Sequence, residues 1–136
     1  MPGEVSPADV MRSYWGAECR RDLEGVIRHY APNARLRDPA GIYRGHAEIA
    51  GYYQGSMREY PGLEVTIVDE VTAGSRGAFE FEAKLTGAGG NGVLVRGLSL
   101  VSVRDGLIES MHCYEDAPAS VAMAGRDDRR RPAERE

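Results

Sequence analysis

The chain has 136 residues, of which 42% are hydrophobic and 28% charged, a balance that fits one ordinary globular domain and excludes a disordered or fibrous body. Its 21 acidic residues outnumber 17 basic ones, with no basic face before the C-terminus, which argues against a nucleic-acid partner. No apolar run approaches the roughly 18 residues needed to cross a bilayer, and Met1 to Asp9 carries no basic-then-apolar leader, so no membrane partner and a cytoplasmic location are expected.

Ser6 followed by Pro7 and Asp9 predicts a helix start, because the Ser oxygen can cap a free amide and Pro at the first helical position loses no hydrogen bond. The helix is expected to run to about Arg21, with Val10, Met11, Tyr14, Trp15 and Cys19 at the three- and four-residue spacing of a buried stripe. Asp22 can cap a second helix, Leu23 to Tyr30, which Ala31, Pro32 and Asn33 would break. Ala34 to Asp38 then reads as a short strand that turns at Pro39, Ala40 and Gly41. His46 to Tyr60 again shows helical spacing, ended by Pro61 and Gly62.

From Leu63 the period changes to two. Val65, Ile67 and Val71 are expected on one face, and Phe79, Phe81, Ala83 and Leu85 alternate with Glu80, Glu82 and Lys84. Gly87 to Gly92 reads as a turn. Val93 to Val103 is apolar on both faces, as for a strand covered on both sides. Arg104, Asp105 and Gly106 form a hairpin signal before a last strand, Leu107 to Tyr114. The expected organisation is one α+β domain over residues 1–116, three N-terminal helices packed on a bent antiparallel sheet, with a disordered tail over 117–136. Cys19 and Cys113 read as buried free thiols. The three histidines, His29, His46 and His112, lack ligand spacing, so no metal site is expected.

Tyr14 in the first helix, the run Asp22 to Gly25, the strand end Asp38 to Gly41 and the helix Ile49 to Ser56 resemble bacterial ketosteroid isomerases. The similarity spans roughly residues 8 to 116. It extends to SnoaL-like polyketide cyclases and polyether epoxide hydrolases of the nuclear transport factor 2-like superfamily. The resemblance implies a cone-shaped α+β barrel and a cofactor-free acid/base enzyme. An apolar polyketide-, polyether- or steroid-like substrate would sit at the open end of the cone, and two copies would pair through the outer sheet face.

Carried over position by position, the resemblance makes Asp38 the acid or base, Tyr14 the donor to a developing oxyanion and Tyr53 a support for that donor, with Tyr52 beside it. A strand-end carboxylate facing an apolar cavity suits the first role, although Asp before Pro39 is also a common turn starter. The isomerases' second donor, a protonated acid, falls near Ser99 here, and losing such a donor costs about 2.7 to 4 kcal/mol of transition-state stabilisation. The epoxide hydrolases instead pair the acid at the Asp38 position with a Glu, which here would be Glu64. Alternation turns Glu64 away from the core unless a bulge after Gly62 reverses it. His112 and Glu115 on the last strand are further candidates, as in some SnoaL-like cyclases. Trp15, Tyr53, Phe79, Phe81, Ser99, Val101 and Met111 are expected to line the pocket. Two mechanisms stay open: epoxide-opening ring closure by an acid pair, and enolisation by Asp38 with Tyr14. A non-catalytic binding module is the third reading.

Overall fold

The computed structural model describes residues 5–116. Helix α1 (Pro7–Cys19) starts where Ser6 Oγ accepts the Asp9 amide at 3.1 Å. Helix α2 (Leu23–Arg28) is capped by Asp22, whose Oδ1 accepts the Gly25 amide at 3.0 Å. It is shorter than expected, because Tyr30 belongs to strand β1 (Tyr30–Asp38) rather than to the helix. Pro32 and Asn33 do not break the chain. They sit where the register of β1 slips between Tyr30 and Arg35, a place that tolerates a residue without an amide proton.

A second strand, β2 (Gly41–Arg44), was not expected; it pairs back on β1 across the Pro39–Ala40 turn. Helix α3 (Gly45–Glu59) follows, then β3 (Gly62–Ala73), β4 (Arg76–Thr86), β5 (Gly92–Arg104) and β6 (Leu107–Glu115). The β5–β6 turn holds Asp105 and Gly106 at φ 54° and 77°, the pair of left-handed residues that a tight hairpin requires.

The six strands form one sheet in the order β2-β1-β6-β5-β4-β3. The expected meander is its β3 to β6 portion, all antiparallel, and β1 adds to the free edge of β6 in parallel. Strands β2 and β3 remain at opposite edges, so the sheet is not closed into the barrel that the resemblance implies. Its inner face, with Ala34, Leu36, Phe79, Phe81, Ala83, Val101 and Met111, packs on Val10, Met11, Tyr14 and Trp15 of α1 and on Ile49 and Tyr53 of α3. Val71 departs from the expected face. A bulge between Ile67 and Asp69 reverses the phase of β3 and leaves Val71 67% exposed. No helix among the described residues is long and apolar enough to cross a membrane.

Candidate active site

Three phenols meet between α1, α3 and β1. The Tyr53 hydroxyl contacts the hydroxyl of Tyr14 and lies 2.6 Å from that of Tyr30, and all three side chains are buried. Tyr30 also reaches the Met111 sulfur at 3.7 Å. Burial raises all three phenols above their ordinary pKa, so they stay protonated. Three hydroxyls bring three protons, and two hydroxyl-to-hydroxyl contacts use two of them. The third is left at Tyr30, facing a weakly accepting thioether, at Tyr53 if both neighbours donate to it, or at Tyr14, beside the Glu18 carboxyl on the cavity wall. Any ligand oxygen is a better acceptor than a thioether and selects the last arrangement. Sequence reasoning missed Tyr30 because it was read as a helix end.

The cavity beside this network has a volume of about 110 Å³. Of the residues expected to line it, Trp15, Tyr53, Phe81 and Ser99 do so, and Tyr14, named as the oxyanion donor, lines it too. Phe79, Val101 and Met111 do not; they are fully buried in the core, where the same inward alternation carries them past the cavity. Tyr52, Leu36, Val65 and Cys113 complete much of the wall. Ser99, 1% exposed, has its hydroxyl 3.4 Å from the Cys113 sulfur. Burial pushes that thiol up to about 12, so it is neutral.

The carboxyls divide into two groups. Asp38 follows Ala34 and Leu36 on the inward alternation of β1, at the end of the strand. Its Oδ1 accepts the Ala40 and Gly41 amides at 2.8 and 3.1 Å, so one oxygen is committed to the turn. It is not one of the residues lining the cavity, but its charge reaches two that are. The Tyr52 phenol is raised by burial and then by the Asp38 charge, as is the Glu115 carboxyl. Glu115 lines the mouth. Glu64 is exposed on the outward side of β3, opposite Lys84, while its neighbours Leu63 and Val65 line the cavity. No bulge turns it inward. His112 also faces outward, stacked on Tyr114 with ring centroids 3.9 Å apart.

An unexpected carboxyl lines the cavity: Glu18, on α1. It falls four residues after Tyr14 and three after Trp15, on the apolar stripe itself, and an acid at such a position is the signal that could have found it. Burial raises its pKa, and Arg21 and the Tyr14 hydroxyl draw it partly back. Arg21 Nη1 stands 3.8 Å from Glu18 Oε2, while Arg21 donates at 2.7 and 3.0 Å to the Tyr60 carbonyl. Among the described residues no group of three His, Cys, Asp or Glu side chains is arranged to hold a metal ion.

Comparison with known proteins agrees with this architecture. A structure of TerC co-crystallised with polyporic acid superposes with a TM-score of 0.72 at 18% identity, covering 86% of this chain and 94% of that one. A Catenulispora acidiphila protein of ketosteroid isomerase-like fold, in complex with trimethylamine, gives 0.73 at 19% identity, covering 88% and 92%. An LEH-like epoxide hydrolase from M. tuberculosis gives 0.69 at 18% identity, covering 79% and 80%. At these identities the likeness is one of fold. No curated protein matches the chain by sequence. The family model for the SnoaL-like domain matches residues 11–111, and the chain therefore belongs to the SnoaL-like domain family.

Proposed function

We propose that this protein is a cofactor-free acid/base enzyme that moves a proton next to a carbonyl of an apolar, polyketide- or steroid-like substrate, leading to isomerisation or ring closure. The observation that carries the reading is the buried chain of three protonated phenols, which ends at Tyr14 on the cavity wall. Asp38 takes the proton from carbon with the carboxylate oxygen that the turn amides leave free. The enolate oxygen accepts from Tyr14 in a site lined by Trp15, Phe81 and Leu36, where low polarity strengthens that bond. The proton then returns from Asp38 to a different carbon, or the enolate carbon attacks a second carbonyl and closes a ring, and the alkoxide formed takes the proton back from Asp38.

Epoxide opening by an acid pair loses its support, because Glu64 lies on the outer side of β3. The binding-module reading keeps one observation in its favour, the two turn amides held by Asp38. The neighbours that hold polyporic acid and trimethylamine support a small-molecule ligand under either reading. Ultraviolet absorbance with a β,γ-unsaturated cyclic ketone tests the proposal. A rise from the conjugated product that requires Asp38 supports it, and no conjugation by wild-type protein rejects the isomerase form.

A homodimer through the outer sheet face belongs to the same proposal. Leu98, Leu100 and Tyr114 form the middle of that face, with Asp69 and Glu80 toward the β3 side and Arg35 and Arg37 toward the β1 side. A two-fold axis through Leu98 and Leu100 lays the arginines of one copy over the acids of the other.

A further inference from the structure

We infer that Glu18 is the second oxygen-binding acid of the cavity, supplying from α1 the donor that β5 lacks at Ser99. The inference rests on the reading of the site as one that stabilises an enolate, and it names a group that this reading leaves without a role.

Glu18 and Tyr14 are one helical turn apart, a spacing that brings their side chains side by side at about 5 to 6 Å between Cβ atoms. Both line the same cavity as Tyr53 and Ser99. Ser99 cannot fill the role well, since its hydroxyl faces the neutral Cys113 thiol and a hydroxyl is a weaker donor than a carboxylic acid. The site therefore has two ends. Tyr52 and Glu115, with Asp38 next to them outside the lining, form the proton-accepting end, and Tyr14, Tyr53 and Glu18 the oxygen-binding end.

A carboxyl on the buried stripe of a helix costs stability that the same residue on the outer face would not. Its ion pair with Arg21 offsets part of that cost but is a loose one. The guanidinium makes its short bonds to the Tyr60 carbonyl and leaves Glu18 at 3.8 Å, beyond hydrogen-bond length. Burial favours the neutral form of Glu18, while Arg21 and the Tyr14 hydroxyl act against it. From its own helix comes neutral Tyr14, from α3 neutral Tyr52 and Tyr53, from β1 neutral Tyr30 and from β6 neutral Cys113. Among the described residues Arg21 is the cation paired with Glu18, and Glu115 adds an acid on the wall. A neutral Glu18 donates its O–H to the ligand oxygen alongside Tyr14. No proton is transferred from either donor, since the proton leaving carbon goes to Asp38 and returns from it. The ligand class is a carbonyl compound or phenol with one oxygen seated between the two donors.

The test uses 4-fluorophenol, a single ring with one oxygen, with binding followed by fluorine NMR from pH 4 to 8 and folding of each variant checked by circular dichroism. Wild-type affinity should be level at low pH and fall above the Glu18 pKa, approaching about tenfold per pH unit. Glu18→Gln, which keeps a donor that does not ionise, should bind within about threefold of the low-pH wild-type value and lose most of the wild-type fall with pH, any remainder belonging to Glu115 and Asp38. Glu18→Leu and Tyr14→Phe should each bind at least about tenfold more weakly. Wild-type binding that is independent of pH overturns the inference, as does a pH profile unchanged in Glu18→Gln. Glu18→Leu binding as tightly as wild type while Tyr14→Phe binds weakly overturns the role of Glu18 and leaves the enolate reading standing. Binding that is absent in wild type, or unaffected by Tyr14→Phe, overturns that reading and the inference with it. If Glu18→Leu does not fold, the Glu18→Gln profile decides alone.

Discussion

The Tyr53 hydroxyl lies 2.6 Å from that of Tyr30, and neither side chain reaches solvent. Tyr53 also holds Tyr14, so one residue on α3 ties α1 to β1 through a shared hydroxyl. Tyr53→Phe removes that partner from two buried phenols. A loss of about 1 to 3 kcal/mol in urea unfolding is expected, the cost of leaving buried polar groups unsatisfied. An unchanged midpoint would mean that the phenols find other partners.

Glu64→Gln should change turnover less than about twofold and leave the melting temperature within about 3 degrees, since a surface substitution of this kind stays within about 0.5 kcal/mol. Its side chain is exposed on the outward side of β3, whose inward neighbours Leu63 and Val65 meet the cavity. Steady-state rates on any accepted substrate check this. A large loss of turnover would restore the acid-pair mechanism.

Glu18 carries a pH signature in stability. Burial raises its pKa in the folded state above the ordinary 4.5 that it regains on unfolding. The folded chain therefore holds the proton more tightly. The stability this brings is complete below about pH 4.5 and is lost as pH rises through the raised folded value. Glu18→Gln has no proton to lose, so its melting temperature relative to wild type should rise between pH 4 and pH 7. A difference that stays constant across this range would show that Glu18 titrates alike in both states.

Much of this architecture was legible beforehand, for local reasons. Ser6 and Pro7 announce α1, Asp22 announces α2, and the Asp105–Gly106 turn announces the last hairpin. What escaped was set by tertiary pairing. Strand β2 has only four residues, too few for a period, and exists because β1 offers it an edge. Tyr30 follows helical residues and precedes Pro32, so local signals end a helix there, yet pairing with Ile108 makes it a strand. Val71 lies beyond a bulge that alternation cannot foresee. At the site, the resemblance to a known pattern names Asp38, Tyr14 and Tyr53, of which Tyr14 and Tyr53 line the cavity. Glu18 was missed because the pattern has no acid there, although an acid on an apolar stripe is itself a physical anomaly.

The outer sheet face supplies a test of assembly. Glu80 lies in the row Asp69–Glu80–Leu98–Tyr114, and Arg37 in the next row beside His112 and Leu100. Glu80→Arg should turn attraction between copies into repulsion and shift the protein to monomer in light scattering. Glu80→Arg combined with Arg37→Glu should restore the dimer. A wild-type monomer at micromolar concentration would contradict the proposed pairing.

The central claim is that Asp38 moves a proton at carbon while Tyr14 holds the oxygen. Exchange of the α-protons of a small apolar cyclic ketone into heavy water, followed by proton NMR, measures that step without requiring the natural substrate. Asp38→Asn keeps an oxygen for the Ala40 and Gly41 amides but cannot accept the proton, so the turn should hold while exchange falls by at least about a hundredfold. Asp38→Ala should lose exchange and also about 0.5 to 2 kcal/mol of stability, the scale of a lost side-chain cap. Exchange that is fast in wild type, abolished in Asp38→Asn and strongly reduced in Tyr14→Phe is the predicted result. Exchange by Asp38→Asn at the wild-type rate would contradict the account.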